Sequence, residues 1–279
     1  MKTTFLILGI GVVVLGAVLV VAEWRWRART RAVVAALRTG ASPAAPARYS
    51  AEQLVALPPP VQRYLLAVLG QGQPLVRRVH LRQRGEFLVN AAANRWGPFT
   101  ATQDFRVQPA AFVWDARISM GPGIAVRVRD SFVDGKGAMN GAAMGLFTVV
   151  RMENTPDMAT AALQRYLGEA CWFPTALLPS AGVIWTAVDD STARASLTVG
   201  GASVSVDFHF GADSLISSVT ALRPRAADGG SVLTPWSGRW LEYGVRNGVR
   251  IPVEGEVAWL LPSGPQPYWR GRITAIESD

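Results

Sequence analysis

The chain has 279 residues, 49% of them hydrophobic, one cysteine and a formal net charge of +8. That composition belongs to a packed globular protein and excludes a disulfide scaffold. The charge does not indicate nucleic acid, because residues 1–38 hold Lys2 and five arginines against Glu23, leaving only +3 for everything downstream; a nucleic-acid-binding domain concentrates its basic residues on its own folded face.

Phe5 to Ala22 is an unbroken apolar run. At about 1.5 Å per residue it spans roughly 27 Å as a helix, close to the ~30 Å hydrocarbon core of a bilayer. The run is longer than the h-region of a cleavable signal peptide, and a dense arginine cluster follows it directly. Both features favour a retained anchor. Trp24 and Trp26 suit the headgroup layer, where an indole buries its ring and wets its N–H, while Arg25, Arg27, Arg29 and Arg31 can meet lipid phosphates. These six residues are the expected membrane-interface set. Positive residues beside a span tend to stay cytoplasmic, so the expectation is a single-pass protein of the bacterial cytoplasmic membrane with its large C-terminal part inside the cell. A lone Cys171 agrees with that compartment without requiring it.

The anchor helix is expected to continue through Arg25–Arg38 and to stop at Gly40, and Gly40–Ala47 reads as a linker. Ser50 and Gln53 fit a capping box opening a short helix that ends near Leu57. Pro58-Pro59-Pro60 breaks it. A second helix over Val61–Leu69 follows, with Val61, Tyr64, Leu65, Val68 and Leu69 on one face, and Gly70 stops it. From Leu75 the period changes to two, as in Val126-Arg127-Val128-Arg129 and Val204–Phe210, which reads as antiparallel sheet. Turn signals fall at Asp134-Gly135, Gly200-Gly201, Asp228-Gly229, Asn247-Gly248 and Ser263-Gly264. Asp134-Gly135 and Asn247-Gly248 predict type I′ hairpins. Ten to twelve strands in a meander are expected, interrupted by one helix that Thr155 caps and Pro156 opens.

The fold class expected is therefore α+β: an N-terminal transmembrane helix, then a large antiparallel, curved β-sheet (a half-barrel) covered by two or three helices. Residues 1–38 form the anchor and basic juxtamembrane helix, 39–49 the linker, and 50–279 a single globular domain.

The sequence carries no recognisable catalytic pattern. His80 and His209 are the only histidines and lie far apart, so neither a metal nor a cofactor is expected. Cys171, beside Trp172 and Phe173, reads as a small buried hydrophobe. Neither Gly-x-Ser-x-Gly nor His-Glu-x-x-His occurs. The clearer signal is a set of tryptophans mixed with isolated charges: Trp114 with Arg117, Arg165 and Glu169 with Trp172, Trp236 with Trp240, and Trp259. On a curved sheet such residues either line an apolar cavity, with a charge fixing a ligand's polar head, or fill the core beneath the helices. These eight are the candidate ligand-binding residues.

The segments LPPPVQRYLLAVLG, RQRGEF, WGPFTATQDF, FVWDARI, RYLGEACWFPTALL, PWSGRWLEYG, GVRIPVEGEVAWLL and YWRGRITAIE resemble an uncharacterised family of bacterial membrane-anchored proteins of unknown function. The resemblance covers most of the chain from Leu57 and brings no catalytic residues. It implies an architecture similar to lipoprotein-localisation carriers, in which helices lid an incomplete antiparallel barrel; those carriers work in the periplasm, against the orientation that the arginines indicate. The function expected is a membrane-anchored, non-catalytic domain binding an apolar ligand, a lipid or acyl chain, with the bilayer itself as the other partner. A membrane-tethered hydrolase is the alternative, with Arg165 and Glu169 the first pair to examine. An assembly module offering a sheet edge is the third reading.

Overall fold

A computed structural model describes residues 2–39, 47–227 and 229–279. The expected helix stop at Gly40, linker residues 40–46 and Asp228 lie outside them. Helix α1 (Lys2–Thr39) runs without a break from the apolar segment through the basic one. No glycine or proline intervenes after Gly16, and five alanines between Ala22 and Ala36 favour the helix. It is long and apolar enough to cross a membrane, or to be a signal sequence.

Ser50 and Gln53 form the expected capping box, opening a short 3-10 turn over Ala51–Leu54. The three prolines do not separate two helices. Pro59 and Pro60 begin α2 (Pro59–Val68), because a proline ring fits the first turn, where its missing N–H has no partner to lose. Linker residues 47–49 pack with the domain: Ala47 accepts from Leu75 N at 2.9 Å, and the Tyr49 ring is buried in the core.

The sheet is not one continuous meander. The first wing comprises β1 (Arg78–Asn90), β2 (Arg95–Arg106), β3 (Ala111–Gly121), β4 (Ile124–Val133), β5 (Lys136–Ala143) and β6 (Phe147–Glu153). Helix α3 (Pro156–Glu169), with Thr155 Oγ1 accepting from Met158 N, then carries the chain across the concave face to the opposite edge. The second wing comprises β7 (Ile184–Asp189), β8 (Thr192–Val199), β9 (Ala202–Phe210), β10 (Ile216–Ala227) and β11 (Gly230–Trp240). A small hairpin, β12 (Tyr243–Arg246) and β13 (Val249–Pro252), precedes β14 (Glu254–Leu261) and β15 (Gly264–Ser278). The order β6-β5-β4-β3-β2-β1-β15-β14-β11-β10-β9-β8-β7 makes thirteen antiparallel strands, with β15 paired to β1 and β14 to β11. The last two strands thus join the wings at the centre, a long-range pairing that local alternation cannot announce.

The sheet curves without closing: β6 and β7 remain its edges. Bulges at Arg82/Gln83, Ser119/Gly121 and Val257/Ala258 help it bend. The wings touch where the β4–β5 turn meets the β8–β9 turn. A Cβ on Gly135 would lie 2.7 Å from Gly200 Cα, so neither turn tolerates a side chain there. Asp134-Gly135 and Asn247-Gly248 have positive φ at both positions, as type I′ hairpins require.

The concave face is largely filled. Phe105, on β2, packs against Phe112, Tyr166, Trp172 and Phe173, with the Phe173 ring 4.6 Å away. Leu163, Tyr166 and Leu167 of α3, with Val61, Tyr64 and Leu65 of α2, complete this core. Strand β3 is buried on both sides. Phe112, Trp114 and Ala116 face α3, while Ala111 and Val113 pack on Leu37, Val33 and Val34 of α1. The boundary expected at residue 38 therefore does not separate anchor from domain in space, since the second half of α1 lies along the outer face of β2–β4.

Candidate functional site

Alternation along β3 sends Trp114 inward and its neighbours Asp115 and Arg117 outward. Inside, Trp114 is 2% exposed; its Nε1 donates to Gln83 Oε1 at 2.9 Å, and Phe99 meets its ring edge-on. The Arg165 guanidinium, on α3, stands 5.0 Å from the Trp114 ring centroid and 5.1 Å from that of Phe112. Its Nε donates to Glu169 Oε1 at 2.8 Å and its Nη1 to Asp130 Oδ2 at 2.7 Å. Gln103 Nε2 donates to the other Glu169 oxygen at 2.8 Å. Burial pushes the Glu169 carboxyl up from its ordinary value, with Arg165 pulling against it. Burial also opposes the Arg165 charge, but the two carboxylates outweigh it and hold its pKa above the usual range. Arg165 and Glu169, the pair singled out for acid–base chemistry, are joined in a largely buried ion-pair network.

The remaining candidates divide into two further groups. Trp172 and Trp240 meet edge-to-face at 5.4 Å, both buried. Trp236 and Trp259 flank Arg223, whose guanidinium is 4.6 Å and 5.7 Å from their centroids, and Tyr268 stacks on Trp259. Arg223 donates to Ala161 O at 2.8 Å and has no carboxylate partner among the described residues. Arg117 joins none of these groups: it is exposed on the outer face, because it follows Trp114 by three residues along a strand. Burial pushes the Cys171 thiol well up, and His209, half-buried on the outward face of β9, bridges the Thr192 and Thr220 hydroxyls. No set of three His, Cys, Asp or Glu gathers for a metal among the described residues.

Trp172 also lines an inner pocket of about 280 Å³ with Val79, Phe173, Val249, Ile251 and Ile276, and a larger open space lies on the outer face. Asp115 receives Trp26 Nε1 at 3.0 and 3.1 Å and the Thr30 hydroxyl at 2.6 Å, tying α1 to the sheet. Arg129 donates to Thr30 Oγ1 at 3.1 Å and stacks on the Trp26 ring at 5.0 Å. Trp26 is only 5% exposed, so its ring faces the sheet and not the headgroup layer; Trp24, two residues away on the helix, is exposed. Glu23 is shared by Arg27 and Arg127, with Arg27 Nε at 2.6 Å and Arg127 Nε at 3.0 Å. Arg106, fully buried, closes the far end of α1 by donating from Nη1 to Leu37 O at 2.8 Å, a cation on a helix C-terminus.

Beside this contact lies a groove of about 890 Å³ between α1 and the outer face of β1–β4 and β15. Trp24, Arg27 and Arg31 line it from α1, Arg82 and Arg84 from β1, Thr100 and Thr102 from β2, Arg127 from β4 and Thr274 from β15. Arg31, Arg82 and Arg84 form no ion pair within 4.0 Å among the described residues, while Glu23 and Asp115 are already engaged. The signal for this groove was the strict outward alternation of Arg82 with Arg84 and Thr100 with Thr102.

Residues 55–277 match the model of a family of unknown function, DUF6920. The chain belongs to that family. No curated protein matches it. Among solved structures, the DUF6920 chain is similar to a DUF1329 family protein from Desulfovibrio piger, with 7% identity, a TM-score of 0.40, and coverage of 73% of this chain and 86% of that one. A LolA superfamily protein from Nitrosomonas europaea is similar at 10% identity and a TM-score of 0.36, covering 78% of this chain and 91% of that one.

Proposed function

We propose that this protein is a membrane-anchored, non-catalytic lipid-binding domain that takes the anionic headgroup of a bilayer phospholipid into the groove between α1 and the sheet. The observation that carries this reading is the position of that groove. Arg27 and Arg31 follow the apolar run by five and nine residues, about 7 and 14 Å along the helix. The headgroup layer is roughly 5–7 Å deep, so the groove opens at its aqueous side. The arginines pair with phosphate, Trp24 lies at the interface, and the lipid's chains stay in the leaflet beside α1. On the concave side the pocket at Trp172 holds about 280 Å³, less than the groove outside.

Lipid titration of the detergent-purified full chain, read by native mass spectrometry, tests this. Phosphatidylglycerol should be retained in preference to phosphatidylcholine. Arg31→Gln, Arg82→Gln and Arg84→Gln together should weaken that retention roughly a hundred-fold, at about 1 kcal/mol per arginine. Equal retention of both lipids, or an unaffected triple variant, would overturn the reading.

The same arginines support a cytoplasmic domain. A C-terminal fluorescent protein should be bright and a C-terminal alkaline phosphatase inactive; the reverse pair of results would place the domain on the other side.

A further inference from the structure

The membrane-side end of the first wing carries two hairpin tips, β3–β4 and β5–β6, and the second lies against the apolar half of α1. Gly145 and Leu146 share a cavity of about 540 Å³ with Val14, Val18, Val21 and Ala22 and, toward the basic half of the helix, with Arg25, Trp26 and Arg29. A Cβ added to Gly145 would lie 3.5 Å from the Ala22 carbonyl carbon, so this tip stands level with the last turns of the apolar run. We propose that both tips enter the lipid leaflet beside α1, so that the sheet itself is partly embedded in the membrane.

The composition of the tips fits that environment. Gly141–Val150 and Ser119–Ala125 contain no charged residue, and charges return only at Arg151 and Arg127. Phe147 is 71% exposed, Val149 56% and Ile124 54%. A soluble edge strand such as β6 is ordinarily protected by charge, and here Phe147 and Val149 stand exposed on one face at the tip, with Thr148 on the other and no charge before Arg151. Backbone submerged in lipid must satisfy its polar groups internally. Two amides of the β5–β6 turn are paired in this way: Met144 N donates to Ala125 O at 2.8 Å and Leu146 N to Ala143 O at 2.9 Å. The Met144–Ala125 bond also fastens the two tips to each other, so one cannot enter without the other.

The proposal rests on α1 spanning the bilayer, and the experiment separates the two. Cys171, the only cysteine, is fully buried and resists labelling in the folded chain. Phe147→Cys, Ile124→Cys, Val14→Cys and Ser203→Cys, each in the full chain in phosphatidylcholine–phosphatidylglycerol vesicles, would carry an environment-sensitive fluorophore. The expected result is quenching of the residue 147, 124 and 14 probes by acyl-chain spin labels, with the residue 203 probe quenched only by aqueous iodide. If the residue 14 probe meets the spin labels while those at 147 and 124 meet iodide, the span stands and tip insertion is overturned. If the residue 14 probe also meets iodide, the spanning reading and the proposal fall together. Tip probes shielded from both quenchers would show instead that a second copy of the chain covers the tips, which also overturns the proposal.

Discussion

The two helices packed on β3 make chemically opposite contacts. On the inner face, α3 meets the strand through Phe112, Trp114 and an ion-paired network, Asp130–Arg165–Glu169, in which every charge has a partner. On the outer face, α1 meets it through a small apolar patch of Leu37 on Ala111 and Val113, and through hydrogen bonds converging on Asp115. The inner contact is largely buried and interlocked, so it belongs to the fold. The outer one is bordered by Arg31, Arg82 and Arg84, which have no ion-pair partner among the described residues, and it holds the groove proposed for a lipid headgroup. A single strand thereby separates what holds the domain together from what is available to a ligand.

The largest expected effect is on the inner face. Arg165→Met strands two buried carboxylates and should remove about 3–5 kcal/mol of stability, read as a lowered urea midpoint of the full chain in detergent. Replacing Arg165, Asp130 and Glu169 together with apolar residues should recover most of that loss, since the unpaired charge and not the missing bond is what destabilises. Trp114→Ala should cost about 3–5 kcal/mol as a core truncation while leaving lipid retention in the outer groove intact. An unchanged midpoint with lost retention would return Trp114 to the ligand site.

A smaller and local effect is expected outside. Asp115→Ala removes the acceptor for Trp26 and Thr30 and should cost about 1–3 kcal/mol. Amide exchange should accelerate over residues 23–38 while the β3 amides stay protected. Equal acceleration of both would show that the two faces unfold as one unit.

The pH response sharpens the same contrast. Burial raises the Glu169 pKa in the folded state above its ordinary value of 4.5. The folded state therefore holds that proton more tightly than the unfolded chain does. The Glu169 contribution is greatest below 4.5 and is lost as pH rises through the folded value. Glu169→Gln should flatten that limb of the stability curve, and a wild-type limb rising with pH over the same window would contradict it. The smallest effect belongs to the second wing, where Arg194 Nε pairs with Asp207 Oδ1 at 2.7 Å in solvent. Arg194→Ala should change stability by no more than about 1 kcal/mol, a baseline for the inner network.

The elements that depend on neighbouring residues were legible. The Ser50 capping box, the Thr155 cap with Pro156, and the hairpins at Asp134-Gly135 and Asn247-Gly248 follow from side-chain reach and from φ preferences acting over a few residues. The apolar run Phe5–Ala22 and the period-two strands likewise determined an α+β protein with a long apolar N-terminal helix, because burial imposes its period on the chain directly. The pairing of β15 with β1 was not legible, nor the inward turn of Trp26, nor the gathering of Arg31, Arg82 and Arg84 around one groove. Each unites residues far apart in the chain. Alternation states that Arg82 and Arg84 point away from the core, but only the course of α1 over the outer face of the sheet decides what they face.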